Sequence, residues 1–209
     1  MWLDPISLDS MLSRLRSIVQ PIKRTLAWPF LRLRMGPSQV GLFGIACALV
    51  AAGCARSGAV QISFGFAIVA FLTDLADGEV ARQTGQETPE GNYLDAMGDR
   101  ICESVLLFGL LPQAPNLVTL ALCGGLLVSF AKARCALVCL MDNRDWPGWG
   151  DYPDRGALIA TAYFCQPHTL WPLTLLAALN WTSLWSRVRH ARQMISSSRN
   201  QELQPYLRR

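Results

Sequence analysis

The chain has 209 residues, of which 51% are hydrophobic and only 16% charged, with a formal net charge of +4. That length suits a single domain, and so much apolar sequence with so few charges argues against a soluble protein and for a membrane one. The positive balance does not require nucleic acid, because the arginines cluster beside apolar stretches, where anionic lipid and positive-inside topology account for them.

The first 36 residues lack the charged n-region, long apolar h-region and small-residue cleavage site of a signal peptide. Leu8, Met11, Leu12, Leu15, Ile18 and Val19 recur at helical spacing with polar residues between them. The pattern predicts an amphipathic helix on the membrane surface, ending before Pro21; the alternative is a soluble helix packed on its own protein. Lys23, Arg24, Arg32 and Arg34 follow as a basic collar, with Trp28 as an interfacial anchor.

Six spans are expected after that. The first is Val40 to Ala55, rich in Gly, Ala and Cys, which let helices approach closely in lipid. The second, Ala59 to Arg82, would be about 36 Å long as a helix, enough to cross and project slightly. The third runs from Asn92 to Leu111 and ends at Pro112 and Pro115; the fourth covers Asn116 to Leu140. A short fifth span lies near Asp154 to Cys165, and the sixth, Leu170 to Trp185, leads to Arg187, Arg189 and Arg192. Six spans put both termini on one side, together with nearly all flanking lysines and arginines except Arg56, so that side is expected to be cytoplasmic.

The expectation is therefore an all-α integral membrane protein. It has an amphipathic juxtamembrane segment over 1–36, a six-helix membrane domain over 37–192 and a flexible cytoplasmic tail over 193–209. The seven cysteines form no C-x-x-C pair and read as small buried thiols, including Cys135 and Cys139 on one helix face. His168 and His190 stand apart from each other and from the acids, so no histidine metal site is expected.

The chemistry lies at the inner ends of the second and third spans. Asp74 and Asp77 are three residues apart and Asp95 and Asp99 four apart, and either spacing puts the pair on one helix face. A carboxylate in the bilayer costs about 2.5–3.5 kcal/mol on insertion scales, so four together need compensation. Divalent cations supply it, and oxygen-only ligands favour magnesium, manganese or calcium over zinc. A merely salt-bridged acidic helix pair is the bland alternative. A cation transporter is another, but the repeats and broken helices of transporters are missing.

The full spacing is D-x2-D-G-x2-A-R-x8-G-x3-D-x3-D, set by Asp74, Asp77, Gly78, Ala81, Arg82, Gly91, Asp95 and Asp99. It resembles, with no departure, the signature of the CDP-alcohol phosphotransferases, integral membrane enzymes of phospholipid synthesis. The resemblance implies transfer of a phosphatidyl-type group from CDP-diacylglycerol to the hydroxyl of a polar alcohol, with release of CMP. It implies two magnesium or manganese ions held by Asp74, Asp77, Asp95 and Asp99, with Asp99 also the general base. Gly78, Ala81, Arg82 and Gly91 would receive the CDP-lipid. A homodimer in a prokaryotic cytoplasmic membrane is implied as well. Glu79 and Arg100, between motif positions, are expected in structural pairs, and Glu103 in a pair with Arg100 or Lys132.

Lys132 and Arg134, in SFAKAR, and Arg155, in DYPDR, stand at the inner ends of the fourth and fifth spans. Three cations there would suit a phosphate, although snorkelling cations at a membrane face give the same pattern. These segments resemble the phosphatidylinositol-phosphate and archaetidylinositol-phosphate synthase branch, which implies inositol phosphate as acceptor; Cys135-Ala136 departs from that branch's alanine and acid. Glycerol phosphate or a neutral alcohol, as in phosphatidylglycerophosphate or phosphatidylserine synthases, is the alternative within the same chemistry.

Overall fold

The structure, a computed structural model, describes residues 20–138, 146 and 149–207, with side chains as far as 196. Every regular element among them is an α-helix: α1 over 20–32, α2 Pro37–Arg56, α3 Val60–Thr84, α4 Pro89–Leu110, α5 Pro115–Val138, α6 Tyr152–Phe164 and α7 Leu170–Leu207. The surface helix expected over Leu8 to Val19 and the thiol of Cys139 lie outside the described residues.

Helix starts and stops follow local chemistry. Pro37, Pro89 and Pro115 each open a helix, where a missing N–H leaves nothing unsatisfied. At the end of α3, Gly85 takes φ 66°, and the N–H groups of Gly85 and Gln86 donate to the carbonyls of Arg82 and Ala81. This is the Schellman closure, which needs a left-handed residue just past the helix. The end of α1 closes the same way around Arg34 at φ 56°, with Arg34 N–H on Leu31 O and Met35 N–H on Phe30 O.

The chain divides into two compact units: Met1–Val50 with Gly65–Cys102, and Ala51–Phe64 with Glu103–Arg209. In the first, Ala27, Val40, Ala76 and Val80 form a buried core against which Leu26, Phe30, Leu31 and Met35 pack. Helices α2 and α3 meet closely there, since a side chain at Gly44 would fall on Thr73 Oγ1.

In the second unit, α5 and α6 pack on α7. A Cβ at Gly124 would come 2.8 Å from Asn180 Cβ, and the contact is fastened by Asn180 Nδ2 donating to Ala121 O at 2.7 Å. Small residues that bring backbones together, with a side-chain amide satisfied across the seam, are how helices hold together without water to drive them. The buried Tyr163 hydroxyl likewise donates to Leu106 O at 2.8 Å.

Among the described residues three helices, α2, α3 and α5, are long and apolar enough to cross a membrane. Helix α4 has the length, but Glu90, Asp95, Asp99, Arg100 and Glu103 interrupt its apolar sequence. The 13 residues of α6 reach about 20 Å, short of a hydrocarbon core of about 30 Å. Helix α7 runs past Arg192 to Leu207, so the segment expected as a tail continues the helix. No Gly or Pro stands between Leu173 and Gln204 to stop it.

Candidate active site

The site is built from one helix–turn–helix. The carboxyl-terminal half of α3 carries Asp74, Asp77, Gly78 and Ala81; the Gly85 turn reverses the chain; and the first half of α4 carries Gly91, Asp95 and Asp99. Thr88 caps α4: its Oγ1 accepts the N–H of Gly91 at 3.0 Å, three residues into the helix. A short turn with both helix ends chemically fixed sets the rotation of α4 against α3, and hence which acids meet.

Asp74, Asp95 and Asp99 each offer a carboxylate oxygen within 4.8 Å of the others. At an effective dielectric of about 20, each such pair repels by about 3–4 kcal/mol, so three add roughly 10 kcal/mol, as much as a whole domain's stability. Compensating positive charge is needed. An all-oxygen set of hard carboxylates fits a divalent cation of the magnesium, manganese or calcium type. Asp77 is buried beside them, its Oδ1 accepting the Gly78 N–H at 2.6 Å, and a Cβ at Gly41 on α2 would stand 3.4 Å from its Oδ2.

All four aspartates line a cavity of about 560 Å³, together with Gly78, Ala81 and Gly91. A Cβ at Gly78 would meet no atom beyond its own helix backbone within 4 Å among the described residues, so none of them uses the space that this glycine leaves. Gly91 differs, because a Cβ there would press on the capping Thr88 Oγ1 at 3.1 Å. The expected close approach at Gly91 is thus one to its own helix cap.

Arg82 points elsewhere. It pairs with Glu79, a buried acid that also accepts from Gln83 Nε2 at 2.7 Å and lies 3.9 Å from Arg24 Nε. The structural pairing expected of Glu79 is present, and Arg100 stands 3.8 Å from Asp99. Lys132 and Arg134 occupy the last turns of α5, half-buried and exposed respectively. Arg155 is buried, its Nε 3.0 Å from Glu103 Oε1 and its Nη1 donating to Gly150 O at 2.9 Å. Glu103, expected beside Arg100 or Lys132, reaches Arg155 over Gly125, where a Cβ would crowd its Oε1 at 2.8 Å.

Among the lining residues that the sequence reading did not single out are the glycines Gly98 and Gly41. Gly98, between the paired acids of α4, meets no atom within 4 Å and gives the cavity a second bare spot. Gly41 brings α2 against Asp77. The spacing Gly41-x2-Gly44 was the only signal for Gly41, and it reads as helix packing.

The CDP-alcohol phosphatidyltransferase family model matches residues 34–193. The chain is 32% identical over 105 residues to the bifunctional IPC transferase and DIPP synthase of Rubrobacter xylanophilus, covering 48% of this chain and 24% of that protein. It is 28% identical over 129 residues to the archaetidylinositol phosphate synthase of Methanothermobacter thermautotrophicus, covering 60% and 65%. The match thus spans less than two thirds of either relative. The fold is that of Mycobacterium tuberculosis phosphatidylinositol phosphate synthase with CDP-DAG bound, at a TM-score of 0.60 and 24% identity over 86% of this chain and 92% of that one. The same mycobacterial protein has also been solved in complex with manganese and citrate. With the eight motif positions intact, the acids gathered on one cavity and the family model spanning most of its length, the chain belongs to the CDP-alcohol phosphatidyltransferase family.

Proposed function

We propose that the chain transfers a phosphatidyl-type group from CDP-diacylglycerol to the hydroxyl of a polar acceptor, with inositol phosphate preferred, and releases CMP. The observation that carries this reading is the convergence of Asp74, Asp95 and Asp99 within 4.8 Å on a cavity of about 560 Å³. Magnesium or manganese, two ions in this reading, would be held by Asp74, Asp77, Asp95 and Asp99 and would neutralise charge on the attacking and leaving oxygens. Manganese in the mycobacterial relative supports a divalent cation here.

Gly78 and Ala81 leave the α3 surface low enough for a nucleotide to lie against it, and Gly91 keeps the start of α4 slim. Arg82, the fourth of the proposed CDP-lipid residues, is paired with Glu79 and would reach the nucleotide phosphates only by leaving that pair. Asp99 accepts the proton of the acceptor hydroxyl as its oxygen bonds to the lipid-bearing phosphorus. The bond from that phosphorus to the CMP oxygen breaks, and CMP leaves with the electron pair. The setting is six crossings by α2–α7, with the site and both termini on the cytoplasmic face and two copies associating as a homodimer. The basic flanks of the apolar spans support that orientation.

Lys132, Arg134 and Arg155 are the proposed acceptor-phosphate ligands, a reading supported by the archaetidylinositol phosphate synthase relative. The Arg155–Glu103 pair favours a second reading, since an arginine already neutralised adds less to an anion site. The acceptor would then be an unphosphorylated alcohol, or glycerol phosphate held by Lys132 and Arg134.

The test is CMP release by the purified chain from CDP-diacylglycerol and magnesium, with inositol phosphate, inositol, glycerol 3-phosphate and serine offered separately. Inositol phosphate should turn over fastest, and chelator or Asp95→Asn should abolish release. Faster turnover of another acceptor would move the assignment to the second reading. Full activity of Asp95→Asn at saturating magnesium would remove Asp95 from the metal site.

A further inference from the structure

A second cavity lies in the other compact unit, along α7. Trp149, Trp181, Trp185, Arg189, His190 and Gln193 line it, and its volume is about 640 Å³. It is built rather than incidental. Ser183 Oγ donates to Trp149 O at 3.0 Å, a Cβ at Gly150 would strike Ser183 at 2.7 Å, and Arg187 holds the Asp151 carboxylate. Three consecutive residues, 149–151, are thereby clamped to two turns of α7. Trp181 Nε1 is already spent on Leu120 O at 3.1 Å, so its indole offers the groove a ring rather than a donor.

The groove combines two chemistries. Its indoles are open, with Trp149 43%, Trp181 41% and Trp185 67% exposed. Beside them stand Arg189 and His190, whose enclosed Nε2 has no hydrogen-bond partner among the described residues while Trp146 packs edge-on against the ring. Among the described residues no acid lines the groove, and Asp151, two residues from Trp149, is bound to Arg187. It also sits where α7 turns from the apolar Leu170–Leu184 stretch to basic sequence, the level at which tryptophans and arginines meet headgroups.

We infer that this groove binds the headgroup and glycerol region of an anionic phospholipid from the surrounding bilayer, at a site separate from the aspartate cavity. The cationic lining excludes a choline-type ligand, which indoles alone would welcome. Three exposed rings are of no use to a small phosphate ester in water but suit the apolar shoulder of a lipid. The inference rests on the chain being embedded in a membrane and is independent of the acceptor that it uses.

The test replaces Trp2, Trp28 and Trp171 by Phe in the full chain, so that fluorescence reports the groove and Trp146. The protein is placed in phosphatidylcholine vesicles with brominated phosphatidylglycerol or brominated phosphatidylcholine as quencher. The anionic lipid should quench at about fivefold lower mole fraction, the effect expected of one basic residue at a membrane surface. Arg189→Gln with His190→Asn should erase that preference, Arg189→Lys should keep it, and CMP release in detergent should be unchanged in both. Equal quenching by the two lipids in the unaltered groove overturns the inference without needing any variant to fold. So does displacement by millimolar glycerol 3-phosphate, which would make this a site for soluble phosphate. Loss of a dimer in Arg189→Gln with lipid preference intact would give the groove to a second copy instead.

Discussion

Gly44 and Gly78 both line the aspartate cavity, yet they are glycine for different reasons. At Gly44 a side chain would collide with Thr73 Oγ1, whose rotamer is pinned by its bond to Ala70 O at 2.7 Å, so the residue serves the α2–α3 contact. At Gly78 a side chain would meet nothing within 4 Å among the described residues, so packing there does not explain the glycine, whereas the proposed ligand access would. Gly44→Val should therefore lower the thermal midpoint in detergent, overpacking typically costing about 1–3 kcal/mol. Gly78→Leu should leave the midpoint nearly unchanged while weakening CDP-diacylglycerol binding about tenfold or more, equivalent to about 1.4 kcal/mol. Calorimetric titration beside a melt separates the two. Normal nucleotide binding by Gly78→Leu would sink the open-surface reading. Spacing by itself marks both residues only as small; it was the motif, by resemblance, that set Gly78 apart from Gly44.

At the scale of elements, the closure of α1 holds a residue with a Cβ in a conformation that suits glycine. Arg34 occupies the left-handed region where α3 uses Gly85, at a cost of roughly 1 kcal/mol for a residue with a Cβ. It persists because Met35 and Phe30, at the two ends of the closure, both pack on the Ala27–Val40 core and hold the turn shut. Arg34→Gly should raise the thermal midpoint by a few degrees, whereas Gly85→Ala should lower it and disturb the aspartate geometry through α4. A lower midpoint for Arg34→Gly would mean that its side chain contributes more than the strain costs. Helices α2 to α7 were legible from apolar runs and prolines, to within a few residues at most ends, whereas α1 runs through Pro21, where a helix end was expected. The Arg34 closure was not, since nothing in its composition marks a left-handed turn.

At the scale of the molecule, the motif acids were legible because four carboxylates at the ends of apolar spans demand a purpose, whereas the basic residues were not. A cation near a membrane face has three fates, snorkelling, pairing and ligand binding, and sequence does not separate them. The structure gives Arg155 to Glu103, both buried, while the acceptor reading also needs Arg155 for phosphate. Removing one partner of a buried pair typically costs about 3–5 kcal/mol because the other charge is left stranded, whereas replacing both with apolar residues is often nearly neutral. Glu103→Gln and Arg155→Gln should each lower the thermal midpoint, and the Glu103→Leu, Arg155→Met double variant should recover most of the loss. Acceptor titration of that stable double variant then isolates the ligand role. If Arg155 also grips the acceptor, KM for inositol phosphate should rise about tenfold to a hundredfold, the equivalent of about 1.5–3 kcal/mol for a charged contact, while KM for CDP-diacylglycerol stays put. An unchanged acceptor KM in the stable double variant would make the pair a structural fastening of α4 to α6, and would leave Lys132 and Arg134 to carry acceptor recognition without it.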